Sequence, residues 1–133
     1  MEFTIKTSKR EEFVDITVLI KEKIKEFKHD GILNIFVLHT TACVTINEKA
    51  DPNISIDINN FLNKTIPRGK WLHDVVDGNT DAHIKTSLIG NSINVPVKNG
   101  KMQLGIWQGI FLCEFDGPRE RKIILNFIKT KEN

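Results

Sequence analysis

Apolar and polar residues alternate from Phe3 to Thr7, the spacing of a half-buried strand, and a short extended piece follows at Phe13 to Ile16. The period then changes. Leu19, Ile20, Ile24 and Phe27 recur three and four apart, which predicts a helix ended by Gly31. Ile32 to Leu38 is too short and too apolar for anything but a buried strand, and Val44 to Glu48 alternates cleanly as the next one. Asp51 and Pro52 carry the chemistry of a helix start, an N-cap acceptor ahead of a residue whose missing N–H costs nothing in the first turn. Ile54, Ile58, Phe61 and Leu62 line one face of that helix, and a Pro67-Arg68-Gly69 turn closes it. Residues 71 to 83 follow no period and read as a loop, with a short helix starting at Asn79 or Thr80 and stopping at Gly90. Everything beyond is strand: Ile93 to Val97, a Lys98-Asn99-Gly100 hairpin turn, Met102 to Gly105, Trp107 to Phe115, an Asp116-Gly117-Pro118 turn, and Arg119 to Lys129. The pattern predicts a single α+β domain over residues 1–133, a mainly antiparallel sheet or sandwich with about three helices.

Composition narrows the class. At 133 residues and 40% apolar content the chain can bury a core without disulfide or metal staples. Lys and Arg number 19 against 17 Asp and Glu, and the cations are scattered apart from Lys9-Arg10 and the tail residues Lys129 and Lys131, so no nucleic-acid-binding stripe is expected. Cys43 and Cys113 sit 70 residues apart in apolar runs and read as small buried hydrophobes. The amino-terminal residues alternate like a strand, not like a secretory signal, and no apolar stretch approaches membrane-spanning length. A cytoplasmic protein with neither membrane nor nucleic-acid partners is the expectation.

Three of the four histidines interrupt apolar segments in short polar motifs: His39-Thr-Thr-Ala, Trp71-Leu-His73-Asp74 and Asp81-Ala-His83-Ile. Three neutral imidazoles leaving one position open are a donor set for a divalent ion in a catalytic or substrate site. The spacings of 34 and 10 residues match no compact ligand motif, and three separately hydrogen-bonded histidines are the competing reading. Strand parity adds to the case. Ile35, Val37 and His39 share one side of a strand and Val44, Ile46 and Glu48 one side of the next, so an imidazole and a carboxylate continue apolar faces and require partners. For Glu48 an ion pair with Lys49 or Lys85 would also serve.

The ordered series His39-Thr40-Thr41-Ala42, Asn47-Glu48, Asp51-Pro52, His73, His83 to Gly90, Gly105-Ile106-Trp107-Gln108-Gly109-Ile110 and Phe115-Asp116-Gly117-Pro118-Arg119 resembles the secondary thiamine-phosphate synthase family over about residues 3 to 128. One departure is Ile106, where that family usually has Thr. The resemblance implies a homotrimer of α+β subunits with sites near subunit boundaries and a metal site at the histidines. It also implies a secondary transferase activity that joins an aminopyrimidine diphosphate to a thiazole phosphate. The residues it carries over are His39, Glu48, His73, His83, Lys85, Ser87 and Arg119, the last three as an anion pocket for a small phosphorylated metabolite. An i,i+4 pair with Asp81 for Lys85, and a hairpin ion pair with Glu114 or Asp116 for Arg119, are the structural alternatives.

Departure of a diphosphate needs its charge neutralised by a divalent ion with Lys or Arg, and Trp71 or Trp107 could form an aromatic wall. A three-histidine set suits zinc-like ions, whereas magnesium on a diphosphate prefers carboxylates and water. A metal-dependent hydrolase is therefore the rival enzyme, and a non-catalytic trimer that binds a metabolite or metal the rival outside enzymes.

Overall fold

The computed structural model describes residues 1–130, so Lys131 of the basic tail lies outside the described residues. Among these, the elements in chain order are β1 (Glu2–Lys6), β2 (Glu12–Asp15), α1 (Thr17–Ile24), β3 (Gly31–Val37), β4 (Ala42–Glu48), α2 (Asn53–Thr65), a 3₁₀ turn (Leu72–Val75), α3 (Thr80–Ile89), β5 (Ser92–Lys98), β6 (Lys101–Met102), β7 (Gln108–Glu114) and β8 (Glu120–Lys129). The strands form two antiparallel sheets, one of five in the order β1-β8-β3-β5-β6 and one of three in the order β2-β7-β4. The α+β class with three helices follows as the pattern predicts.

Alternation places the core. Leu33, Ile35 and Val37 of β3, Ile123 and Leu125 of β8 and Val95 and Val97 of β5 face Val44 of β4 and Ile110 and Leu112 of β7 across the space between the sheets. Ile20 and Ile24 of α1 complete that cluster. The opposite face of the small sheet presents Cys43, Cys113 and Phe115 to Leu62 of α2 and Ala82 of α3, forming a second core.

Local chemistry sets the element ends. The Asp15 Oδ1 accepts from the Thr17 backbone N–H at 2.9 Å and from its hydroxyl at 2.5 Å, which starts α1. Asp51 Oδ1 accepts from the Asn53 N–H at 2.9 Å at the start of α2, the capping role expected of it. Gly31 does not end α1, which stops at Ile24. It opens β3, where a Cβ would lie 2.2 Å from the Ile128 carbonyl oxygen. Its reason is close packing of β3 on β8, a tertiary contact that helical spacing cannot reveal. Asn99 and Gly100 take φ of 48° and 76°, the hairpin turn that Asn-Gly signals. The following strand is only Lys101–Met102, shorter than the alternation to Gly105 implied. Among the described residues no helix is long and apolar enough to cross a membrane.

Candidate functional site

Two crossings between the sheets meet at one end of the sandwich: β3 hands over to β4 through residues 38–41, and β7 to β8 through residues 115–119. With the amino end of α3 they enclose a cleft of about 640 Å³, lined among others by His39, Thr40, Asn79, His83, Arg119 and Arg121. Asn91 holds the first crossing in place, donating from Nδ2 to the carbonyl oxygen of His39 at 2.6 Å and to those of Val37 and Ala42 at 3.3 Å each. A loop that would otherwise present unpaired carbonyls is thereby rigid.

His39 is half-buried, and its Nε2 accepts the backbone N–H of Lys122 at 2.8 Å. Burial is the largest influence holding its pKa below the ordinary imidazole value; the charges of Arg121, Lys122 and Arg119 act in the same direction and Glu114 opposes them. Beneath it, Arg121 is 2% exposed and Glu114 fully buried. Arg121 donates to Glu114 from Nε at 2.8 Å and also from Nη2, which reaches the Thr41 hydroxyl at 2.9 Å as well. Glu114 also accepts the Thr7 hydroxyl at 2.7 Å and the Asp116 N–H at 3.1 Å. Sequence reading reaches Glu114 only as a hairpin partner for Arg119 and does not reach Arg121, yet the signal was there. Arg121 continues the inward face of Ile123 and Leu125, and Glu114 that of Ile110 and Leu112, the same parity that marks His39.

The three histidines are brought only partly together. The rings of His73 and His83 meet edge to face with centroids 5.1 Å apart, and His73 Nε2 lies 3.3 Å from Asp77. His83 and Asp77 share the cleft with His39. The expected metal centre at His39, His73 and His83 is not assembled: among the described residues no three His, Cys, Asp or Glu side chains are grouped to hold an ion. The physical reason at His39 is its commitment to the Lys122 amide. With the Nε2 lone pair accepting, a neutral ring carries its proton on Nδ1, so neither nitrogen offers a free lone pair. Zinc-like and magnesium sites are both withdrawn for this set.

The other expected residues are dispersed. Glu48 belongs to a separate cleft of about 200 Å³ with Phe13, Asp51 and Ile58. It ends β4, whose first residue Ala42 adjoins the histidine loop, and six strand steps separate them by roughly 20 Å. Lys85 is buried on the inner side of α3, 3.3 Å from Asp81, 3.7 Å from Glu11 and 2.6 Å from the Asn63 Oδ1, so it does not line the cleft. Ser87 donates its hydroxyl to the His83 carbonyl at 2.8 Å, one turn back along α3. Arg119 does line the cleft and at the same time pairs with Asp116 at 3.1 Å, the hairpin contact named as its structural role. The Trp71 indole N–H donates to the Pro67 carbonyl at 2.7 Å, and Trp107 is exposed elsewhere, so neither forms an aromatic wall. Asp74 accepts the Thr80 and Trp71 N–H groups, and the Thr80 bond above all keeps its pKa low.

Asn79 was expected only as a helix start. Its Nδ2 donates to Asp116 at 2.8 Å, which fixes the amide's orientation, while the buried Oδ1 has no partner.

Comparison with known proteins yields one consistent group. A family model described as UPF0047 protein YjbQ-like matches residues 1–130. The chain is 53% identical over 130 residues to UPF0047 protein MJ1081 of Methanocaldococcus jannaschii, covering 97% of this chain and 94% of the relative. It is 45% identical over 121 residues to UPF0047 protein YugU of Bacillus subtilis, covering 88% and 89%. Among solved structures, a YjbQ/UPF0047 protein of Clostridium acetobutylicum superimposes with a TM-score of 0.90 at 46% identity, covering 96% of this chain and 99% of that one. These descriptions carry no thiamine-phosphate synthase name, so the resemblance to that family is corrected to this one.

Proposed function

We propose, for a chain that belongs to the YjbQ-like UPF0047 family, that the cleft between the two sheet crossings binds a small phosphorylated metabolite through its anionic group. The observation that carries the reading is the meeting of Arg119, the His39 imidazole and Thr40 on one cavity, with the buried Arg121–Glu114 pair beneath them. Arginine presents a planar fork of donors that matches phosphate oxygens. The acids nearby offset the charge only in part: Arg119 meets the Asp116 carboxylate through one fork nitrogen, and its side chain stays 55% exposed. Asp116 is engaged by Arg119 and Asn79, and Glu120 lies 3.8 Å from Lys6.

Isothermal titration with pyrophosphate and with phenyl phosphate tests the proposal. Binding that is weakened about tenfold or more in Arg119→Lys, where a point charge replaces bidentate contacts, and unchanged in the remote control Glu48→Gln supports it. No heat of binding in the wild type, or equal losses in both variants, would refute it.

The exposed apolar residues Ile32, Phe36, Leu38 and Ile128 on β3, the loop after it and β8 support association of copies of this chain through the outer face of the large sheet. Leu38 also lines the cleft, so such an assembly, trimeric or other, would set a neighbouring subunit beside the site. Cys43 and Cys113 face each other in register on β4 and β7 and remain free thiols, which supports a reducing compartment such as the cytoplasm.

A further inference from the structure

We infer that His39 is a neutral hydrogen-bond donor of the cleft, its imidazole Nδ1–H directed to an anionic oxygen of the bound ligand and its tautomer fixed by the backbone N–H of Lys122. The inference rests on the anion-binding reading and assigns a role within it. An imidazole has two nitrogens, and in the neutral ring one donates while the other accepts. Here the accepting position is settled by a main-chain donor that cannot change its character: Lys122 N–H lies 2.8 Å from Nε2. A proton at Nε2 would set two donors against each other, which excludes both the other tautomer and the imidazolium in this geometry. The only proton left on the ring is the one on Nδ1.

The surroundings act in the same direction. Arg121, Lys122 and Arg119 face the ring as cations, and Glu114, the acid that opposes them, is already committed to Arg121. Asp116, Glu120, Asp77 and His83 complete the titratable groups of the cleft; Arg119 and Lys6 pair with the first two and His73 with Asp77. The ring therefore contributes a donor without contributing a charge. Its backbone is held too, because the His39 carbonyl is tied by Asn91 at 2.6 Å. A donor fixed at both its backbone and its far nitrogen loses little conformational freedom when a ligand oxygen arrives. It also needs no proton from solvent, so this contact should persist through the range where a free histidine titrates.

The test is long-range nitrogen–proton NMR on the full chain with labelled histidine, titrated from pH 8 to pH 5, alone and with pyrophosphate. The expected spectrum for His39 is the Nδ1–H pattern at pH 8, with titration displaced to the acid side of a free histidine's and the Nδ1 signal moving on addition of pyrophosphate. Alongside it, calorimetry compares two variants. His39→Leu removes the donor and is expected to weaken pyrophosphate about ten- to a hundredfold, as for a hydrogen bond to a charged group. His39→Asn retains an N–H near the Nδ1 position and is expected to recover most of that loss. An Nε2–H pattern, protonation of the ring above about pH 6, or His39→Asn as weak as His39→Leu would overturn the assignment while pyrophosphate still bound. Wild-type protein that shows the Nδ1–H pattern yet binds no pyrophosphate would instead refute the anion site, and the donor role with it. Should the variants fail to fold, the wild-type spectrum with and without pyrophosphate decides alone.

Discussion

Replacing Glu114 by Gln keeps the shape of the side chain and removes its charge, and the result is expected to be severe. Glu114 accepts four hydrogen bonds, from the Thr7 hydroxyl, the Asp116 N–H and two nitrogens of Arg121, in a site that water does not reach. An arginine 2% exposed then keeps its charge without a counter-ion. Breaking a buried pair from one side costs about 3–5 kcal/mol, against a total stability of about 5–15 kcal/mol for an ordinary domain. Removing both members together, Glu114→Leu with Arg121→Met, leaves no orphan charge. It leaves the Asp116 N–H without its acceptor, at about 1–3 kcal/mol, so the double variant should be more stable than Glu114→Gln. Urea unfolding followed by the fluorescence of Trp71 and Trp107 measures all of these, provided the denaturant slope is unchanged. A Glu114→Gln loss below about 1 kcal/mol, or a double variant whose loss equals the sum of those of Glu114→Leu and Arg121→Met alone, would refute the claim that the two charges hold each other in place.

Three further outcomes are expected. His39 has a folded pKa below its unfolded value near 6.5, so the unfolded chain takes up the proton first. Stability should therefore fall as pH drops below about 6.5, a slope that His39→Asn flattens; an unchanged slope from pH 6.5 to 5 in calorimetric melts would contradict it. The Cys113 thiol is pushed well above its usual pKa, first by its hydrogen bond with Cys43 and then by burial, so neither cysteine should react with a thiol reagent at pH 8 until the protein unfolds. Labelling of native protein at the rate of a free peptide thiol would count against that packing. Gly100→Ala puts a Cβ 1.7 Å from the Phe27 carbonyl oxygen at a φ of 76°, and should cost more than about 2 kcal/mol in urea unfolding, whereas a near-neutral result would mean the hairpin is not pressed on the loop after α1.

Periodicity along the chain was enough to read most elements, because a strand that buries one face must alternate and a helix that buries one stripe must repeat near 3.6. The α3 helix, the β5–β6 turn at Asn99-Gly100 and the alternation of β4 are cases in which local chemistry and final structure agree. Parity also drew attention to His39, whose polar ring continues the inward face of β3. The same reasoning applied to β7 and β8 would have reached Glu114 and Arg121, residues whose charge on an apolar face demanded partners.

What lay beyond the sequence is which residues share a place. Glu48 and His39 satisfy the same alternation rule, but β4 carries them to opposite ends of the sandwich, and nothing in a one-dimensional pattern records that length. Lys85 and Asp81 stand four apart on α3 and their pairing was foreseeable. That the pair is buried against Glu11 and Asn63 depends on how α3 sits against the segment just before β2 and against α2. Residue types and spacing determined the elements, the class of the fold and the polar side chains that required a partner, since these follow from local sterics and solvation. The tertiary structure decided the partners themselves, such as the Lys122 amide 83 residues beyond the His39 ring, because the antiparallel pairing of β3 with β8, which ends at Val37 opposite Ile123, is what brings those segments together.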